Sequence, residues 1–253
     1  MDGTRLKEVI KKHKPIAVIH MAAFIAAGES VILPGKYYHN NSFGGLNLLE
    51  TMKDCGIKNI VFSSTAAVYG IPAEIPISES TATKPINPYG TSKLVVEGML
   101  HDFETSDGIK HAILRYFNAA GADSESEIGC EHEVPGNLIP ILMDVQAGMR
   151  SKIDIFGTDY NTKDGTAIRD YIHVSDLARA HVMALGHLLS GEESLTVNLG
   201  TGKGYSVAEV IASVEKITGK SVQKSNAPRR AGDPAELVAN AGKAKQLLGW
   251  EAE

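Results

Sequence analysis

Apolar runs and amphipathic stretches alternate along the first half of this chain, and that alternation restricts it to few architectures. Leu6 to His13 has the spacing of a helix, and Ile16 to His20 that of a strand. A longer helical pattern runs from about Tyr37 to Cys55, with Gly56 placed to stop it. Asn59-Ile60-Val61-Phe62-Ser63 reads as a buried strand, a further helix opens near Tyr89, and His111 to Tyr116 reads as the next strand. Helices alternating with strands favour an α/β fold: a parallel sheet covered by helices on both faces.

Beyond Tyr116 the pattern changes. From Asn118 to Pro135 the chain is polar and Gly-rich, so a smaller, substrate-binding part is expected to begin at residue 118. Helices are expected from Asn137 to Met149, from Ser175 to Leu189 and from Ser206 to Thr218, the last opening on Ser206 and Glu209 at capping-box spacing. Leu195 to Leu199 is expected to return to the main sheet as a strand. The organisation is therefore 1–117 as the first, sheet-forming part and 118–253 as mainly the substrate-binding part, with the Leu195 to Leu199 strand going back to the sheet.

With 253 residues, 43% hydrophobic and 22% charged, the chain can bury a large core. Its formal charge of -5 argues against nucleic acid as a partner. No apolar run approaches the ~18 residues of a membrane span, and nothing at the N-terminus resembles a secretion signal. Cys55 and Cys130 are too few and too far apart for a metal site and read as reduced thiols of a cytoplasmic protein.

The chemistry concentrates around Tyr89 and Lys93, four residues apart after Asn87-Pro88. Pro88 suits a first helical turn, and the spacing puts both side chains on one helical face. A nearby cation favours the phenolate. Bringing a phenol from a pKa of about 10 to about 7 takes roughly 4 kcal/mol. Taken alone, such a pair more often marks a solvated helix face than a catalytic one. Upstream, the Asn59 strand runs into Ser63-Ser64-Thr65, placing hydroxyls at a strand's carboxyl end, where open α/β sheets keep their ligands.

Several longer segments then carry a resemblance: Phe62-Ser63-Ser64-Thr65-Ala66-Ala67-Val68-Tyr69-Gly70, Leu114 to Gly121, Asp164 to Val174, and Pro228-Arg229-Arg230-Ala231-Gly232-Asp233. In that order they resemble the extended short-chain dehydrogenase/reductases, and among them the UDP-glucose 4-epimerases, over nearly the whole chain. The resemblance implies NAD as cofactor, UDP-glucose and UDP-galactose as substrates, and a 4-keto sugar between them. It also implies a homodimer formed through the Tyr37 and Tyr89 helices.

By the same resemblance, Tyr89 is the base and then the acid, Lys93 lowers its pKa and holds the nicotinamide ribose, and Thr65 hydrogen-bonds the reacting oxygen. Cofactor contacts map onto Met21, Ala22, Ala23, Phe24, Asn40 and Phe117, besides Thr65, Tyr89 and Lys93. Sugar-nucleotide contacts map onto Asn118, Asn137, Leu138, Asp154, Phe156, Arg169, Arg230 and Asp233. Guanidinium groups suit a diphosphate because they bind it through paired hydrogen bonds; Arg229 reads as a solvent-exposed neighbour, and His173 as a packed core histidine. Leu237 falls where a bulky side chain restricts the pocket, so N-acetylated sugars are expected to be excluded. No metal site is implied.

The sequence also departs from the pattern. It carries no Gly-rich turn between a first strand and helix, so the resemblance implies that two βα units, about 60 residues, would precede Met1 and that the Rossmann sheet is incomplete. On that ground the chain as written is expected to be inactive. Ile25 stands where some members have lysine. Dehydratases of the superfamily carry acidic residues after the threonine and decarboxylases a glutamate, whereas this chain has Ala66 and Ala67, which favours epimerisation. A non-catalytic sugar-nucleotide-binding protein is the alternative from another class; the retained Thr65, Tyr89 and Lys93 oppose it.

Overall fold

The computed structural model describes residues 2–125, 127–129, 136–230 and 233–253. Helix α1 (Gly3–His13) opens on Asp2, whose carboxylate accepts from the Arg5 main-chain N–H, and leads to strand β1 (Val18–His20). Helices α2 (Ala27–Ile32) and α3 (Pro34–Tyr37) follow, then a π-helical stretch, Tyr38–Phe43, and helix α4 (Gly44–Cys55). The single helix expected from Tyr37 to Cys55 thus contains a π turn, a feature common at functional sites. Gly56, at φ 74°, closes α4 in the left-handed region.

Strand β2 (Asn59–Thr65) extends two residues past its expected end and feeds a 3-10 turn, Ala66–Tyr69. Helix α5 (Pro88–Asp107) is capped by Asn87, whose side-chain oxygen accepts from the Gly90 N–H at 2.9 Å. Then come β3 (Lys110–Tyr116), β4 (Asn118–Ala120), α6 (Leu138–Gln146), β5 (Ile153–Phe156), β6 (Ile168–His173) and α7 (Val174–Leu189). The chain ends with β7 (Leu195–Leu199), β8 (Gly204–Ser206), α8 (Val207–Thr218), β9 (Lys224–Ala227), β10 (Glu236–Leu237) and α9 (Gly242–Leu248). Ser206 and Glu209 form the expected reciprocal capping box of α8.

The main sheet has the order β1-β2-β3-β7 with every pair parallel, so β7 returns beside β3 as expected. Alternation along β2 and β3 divides the core. Ile60, Phe62 and Ile113 pack with Leu48, Leu49, Met52, Val96 and Leu100 on one face. Val61, Ala112 and Leu114 pack with Ala180, Ala184, Leu188 and Trp250 on the other. Burial on both faces explains the nearly continuous apolar character of these strands.

A second sheet has the order β10-β6-β4, with β8 antiparallel to β6, and a parallel pair β5-β9 packs with α6 and α8. These strands were mostly not anticipated. Asp170 on β6 is fully buried and ties the second sheet to the loop after β7: it accepts from the main-chain N–H groups of Thr201, Gly202 and Ala239 and from the Thr201 hydroxyl. A buried carboxylate so saturated is a fixed strut.

Cys55 is half-buried and free; Cys130, and residues 126 and 130–135 of the irregular segment, lie outside the described residues, as do Ala231 and Gly232. Among the described residues no helix is long and apolar enough to cross a membrane.

Candidate active site

Parallel strands bring β1, β2, β3 and β7 to one edge with their carboxyl ends together, Thr65 lying opposite Tyr116 and Tyr116 opposite Leu199. Thr65 is buried, and its Oγ1 accepts from the Ala67 main-chain N–H at 3.1 Å, which fixes the turn that follows. Gly90 seats the first turn of α5 against that turn: a Cβ there would stand 2.6 Å from the Ala67 carbonyl oxygen. Tyr89, the preceding residue, faces Thr65.

Lys93 follows on α5, buried, with Nζ donating to the Ser63 carbonyl at 2.7 Å and lying 4.9 Å from the centre of the Phe62 ring. Burial pulls its pKa down to about 8, against Glu97, which acts upward. Burial pushes the Tyr89 phenol up, with Thr65 acting downward. The expected lowering of the Tyr89 pKa by Lys93 is therefore not what this arrangement displays: desolvation dominates, and the ammonium is directed at the Ser63 main chain. His20, at the end of β1, is pulled down to about 4 by burial, with the Lys93 charge acting the same way.

Beyond β1 the chain passes through Met21, Ala22, Ala23 and Phe24, with Met21 and Ala22 exposed. Asn41 pins this segment: its Oδ1 accepts from the Phe24 N–H at 2.9 Å, and its Nδ2 donates to the Phe24 carbonyl and to Ser92 Oγ, both at 3.0 Å. Asn40 donates to Asn41 at 3.0 Å, so the two neighbours act as one unit. Sequence reasoning named Asn40 and missed Asn41, which the π turn directs inward. Phe117 is buried just past β3 with Ala66, Val68 and Ala239.

Behind Lys93 lies a buried polar chain that the sequence did not reveal. Glu97 accepts from Ser64 Oγ at 2.5 Å and from Arg115 Nη2 at 2.6 Å; Arg115 Nη1 donates to the Tyr69 hydroxyl at 3.0 Å, which donates to Asn198 Oδ1 at 2.7 Å. The one available signal was Glu97's position a helical turn beyond Lys93.

A cavity of about 370 Å³ opens beside this edge, between the second sheet and the β5-β9 pair. Asn118, Asn137, Leu138, Asp154, Phe156, Arg169, Arg230 and Asp233 all line it, together with Tyr171 and Arg150, which sequence reasoning did not select. The Arg230 guanidinium stacks on Phe156 at 3.9 Å from the ring centre, and Arg169 is paired with Asp233 while donating to the Ile168 carbonyl at 2.8 Å. Arg230 and Asp233 also line a smaller cavity of about 190 Å³ with Ala67, Asn87 and Leu237, which leads toward Thr65 and the cap of α5.

Two neighbours behave differently. Arg229 points away, its Nε on Asp159 at 2.7 Å and its charge over Tyr160. His173 is exposed rather than packed in the core: it caps α7, with Nδ1 accepting from the Ser175 N–H at 3.2 Å.

A family model described as GDP-mannose 4,6 dehydratase matches residues 1–253. A UDP-glucose 4-epimerase of Rhizobium meliloti strain 1021 is 49% identical over 252 residues, 100% of this chain and 77% of that protein. One of Bacillus subtilis strain 168 is 46% identical over 255 residues, 100% of this chain and 75% of that protein. Among solved structures, a UDP-glucose 4-epimerase from Brucella ovis in complex with NAD superposes with a TM-score of 0.96 at 47% identity, covering 100% of this chain and 78% of that one. One from Bifidobacterium longum in complex with NAD+ and UDP gives 0.96 at 44% identity, covering 100% and 76%.

Proposed function

The chain belongs to the extended short-chain dehydrogenase/reductases and, within them, to the UDP-glucose 4-epimerase family, and from that premise we propose that it serves the interconversion of UDP-galactose and UDP-glucose with NAD. The observation that carries this reading is the convergence of Thr65, at the end of β2, with Tyr89 and the buried Lys93 on α5, whose first turn Gly90 seats against the turn after Thr65, together with a cavity lined by Arg169 and Arg230. The residues at the strand ends fit the cofactor: Ala22 is exposed beyond β1 in a segment that Asn41 holds at Phe24, and Lys93 offers a fixed cation at Ser63 near the end of β2. When bound, NAD would supply the hydride acceptor for C4 of the sugar and, once reduced, the hydride donor to its other face.

Tyr89 Oη takes the proton of the 4-hydroxyl and later restores it, while the Thr65 hydroxyl, both donor and acceptor, holds the reacting oxygen. The raised pKa of the Tyr89 phenol makes it a poor base by itself, so the Lys93 charge beside it is the group that would favour phenolate. Ala66 and Ala67 supply no acid to expel a leaving group, so a 4-keto sugar held here is reduced rather than dehydrated. Arg230, kept planar against Phe156, and Arg169 are assigned to the diphosphate. Leu237, at the smaller cavity, is assigned to limiting the sugar to forms without an N-acetyl group.

The same proposal takes residues 1–117 as the NAD-binding part and 118–253 as mainly the sugar-nucleotide part, in a cytoplasmic homodimer. Exposed Val31, Ile32, Tyr38, Phe43 and Val95 on α2, the π turn and α5 support a helical dimer contact. The deciding experiment incubates the purified chain with UDP-galactose and NAD and follows UDP-glucose. Conversion that requires NAD and is lost in Tyr89→Phe supports the reading and refutes the expectation of inactivity. UDP-glucose binding without NAD binding would support a non-catalytic sugar-nucleotide-binding protein instead.

A further inference from the structure

At the far end of α5, about 18 Å along the helix axis from Tyr89, three side chains converge that the reaction does not use. Among the described residues, His101, Glu104 and His111 form a group whose ligand atoms all lie within 4.8 Å of one another. His101 and Glu104 are three apart on α5 and so share a face, the same i, i+3 pairing of histidine and glutamate that helices use to hold metal ions. His111 comes from β3, the strand that the helix covers.

His111 provides the second, independent observation. Its side chain is 1% exposed, yet its Nδ1 has no hydrogen-bond partner. That nitrogen faces Glu104 Oε2 at 3.5 Å, and the His101 ring stands edge-on at 4.6 Å between centres.

Glu104 is divided in use. Oε1 accepts from Lys110 Nζ at 3.0 Å and from Ser194 Oγ at 2.7 Å, leaving Oε2 toward the two rings. Lys110 brings an unfavourable positive charge, but its Nζ is also paired with Glu193 at 2.5 Å. The cluster borders an open cavity of about 490 Å³, so an ion can enter and keep a water molecule as its remaining ligand.

We propose that His101, Glu104 and His111 bind a divalent transition-metal ion of the zinc class, clamping the C-terminal half of α5 to β3. Two imidazoles and a carboxylate suit zinc, while magnesium prefers oxygen ligands alone. The bound ion holds in place the helix whose opposite end carries Tyr89 and Lys93, and this inference does not depend on the reaction assigned to them.

The test is calorimetric titration of chelator-stripped protein with Zn2+, in wild type and in His101→Ala and Glu104→Gln, with His13→Ala and Cys55→Ser as controls. His101 and His13 are exposed, so their removal leaves the fold in place. The expected result is one ion per chain in wild type, at least about tenfold weaker binding in His101→Ala and Glu104→Gln, and unchanged binding in both controls. Excess Mg2+ should not compete, and Zn2+ should raise the melting temperature of wild type but not of His101→Ala. Absence of binding by wild type at 100-fold excess Zn2+, binding unaltered in His101→Ala, or binding lost in either control overturns the proposal.

Discussion

Glu97 lies one helical turn beyond Lys93 and holds the Arg115 guanidinium from two sides, with Nη2 to Oε2 at 2.6 Å and Nε to Oε1 at 3.1 Å. Both side chains are buried. Removing one partner of such a pair strands the other charge in a poorly solvated site, at a cost of about 3–5 kcal/mol. Glu97→Gln is therefore expected to lose about 3 kcal/mol in urea unfolding at neutral pH. Because Glu97 is the group acting upward on Lys93, the variant should also lower the Lys93 pKa further. A loss under about 1 kcal/mol would show that the pair is solvated after all.

Arg229 and Arg230 adjoin in sequence and part in space. Arg230 lies in the cavity against Phe156, whereas Arg229 is held by Asp159. Hydrogen bonds to charged groups contribute about 1.5–3 kcal/mol, so Arg230→Ala should weaken UDP binding by about 10- to 100-fold. Arg229→Ala should change it less than about threefold, since exposed pairs contribute little. Calorimetric titration with UDP measures both, and equal losses would remove the distinction.

Two glycines of α5 separate close approach from flexibility. At Gly90 a Cβ would meet the Ala67 carbonyl oxygen at 2.6 Å and Pro85 Cβ at 3.0 Å, while at Gly98 nothing lies within 4 Å. Gly90→Ala is expected to destabilise by about 1–3 kcal/mol through overpacking and to loosen the Tyr89 contact with Thr65. Gly98→Ala, in an exposed helix interior, should stabilise by about 0.5–1 kcal/mol. Thermal unfolding of the two variants should move in opposite directions; a shared direction would contradict the packing argument.

β2, β3 and β7 of the main sheet were legible because they are buried on both faces and read as apolar runs. β7 occupies the span expected of it, and β2 and β3 differ from expectation by one or two residues at their ends. The second sheet was not legible for the opposite reason. β9 reads Lys-Ser-Asn-Ala and carries no apolar pattern; it is a strand because β5, some 70 residues away, pairs with it. The cavity residues were named only through motif resemblance, since nothing local says that Asn118, Asp154 and Arg230 will face one another. Asn41 escaped notice because a π turn, not a regular helix, directs it inward. Glu97 and Arg115 escaped because a buried ion pair looks, in one dimension, like any two surface charges.

Burial holds Lys93 near a pKa of about 8, from an ordinary 10.5. Between about pH 8 and 10.5 the unfolded chain therefore binds more protons than the folded one, and this residue makes stability rise with pH across that window. Below pH 8 both states carry the proton, and the whole cost of keeping a buried ammonium is present. Lys93→Met removes that cost, so it should be more stable than wild type at pH 7 by on the order of 2 kcal/mol. The advantage should shrink toward zero as pH approaches 10.5. Urea midpoints of the two proteins at several pH values test this, and a difference flat from pH 7 to 10.5 would mean that Lys93 is not desolvated. The same substitution removes the only cation beside Tyr89 that the reaction reading invokes, so turnover should fall while stability rises. A site that keeps a destabilising ammonium in a buried position is consistent with that charge serving chemistry rather than folding.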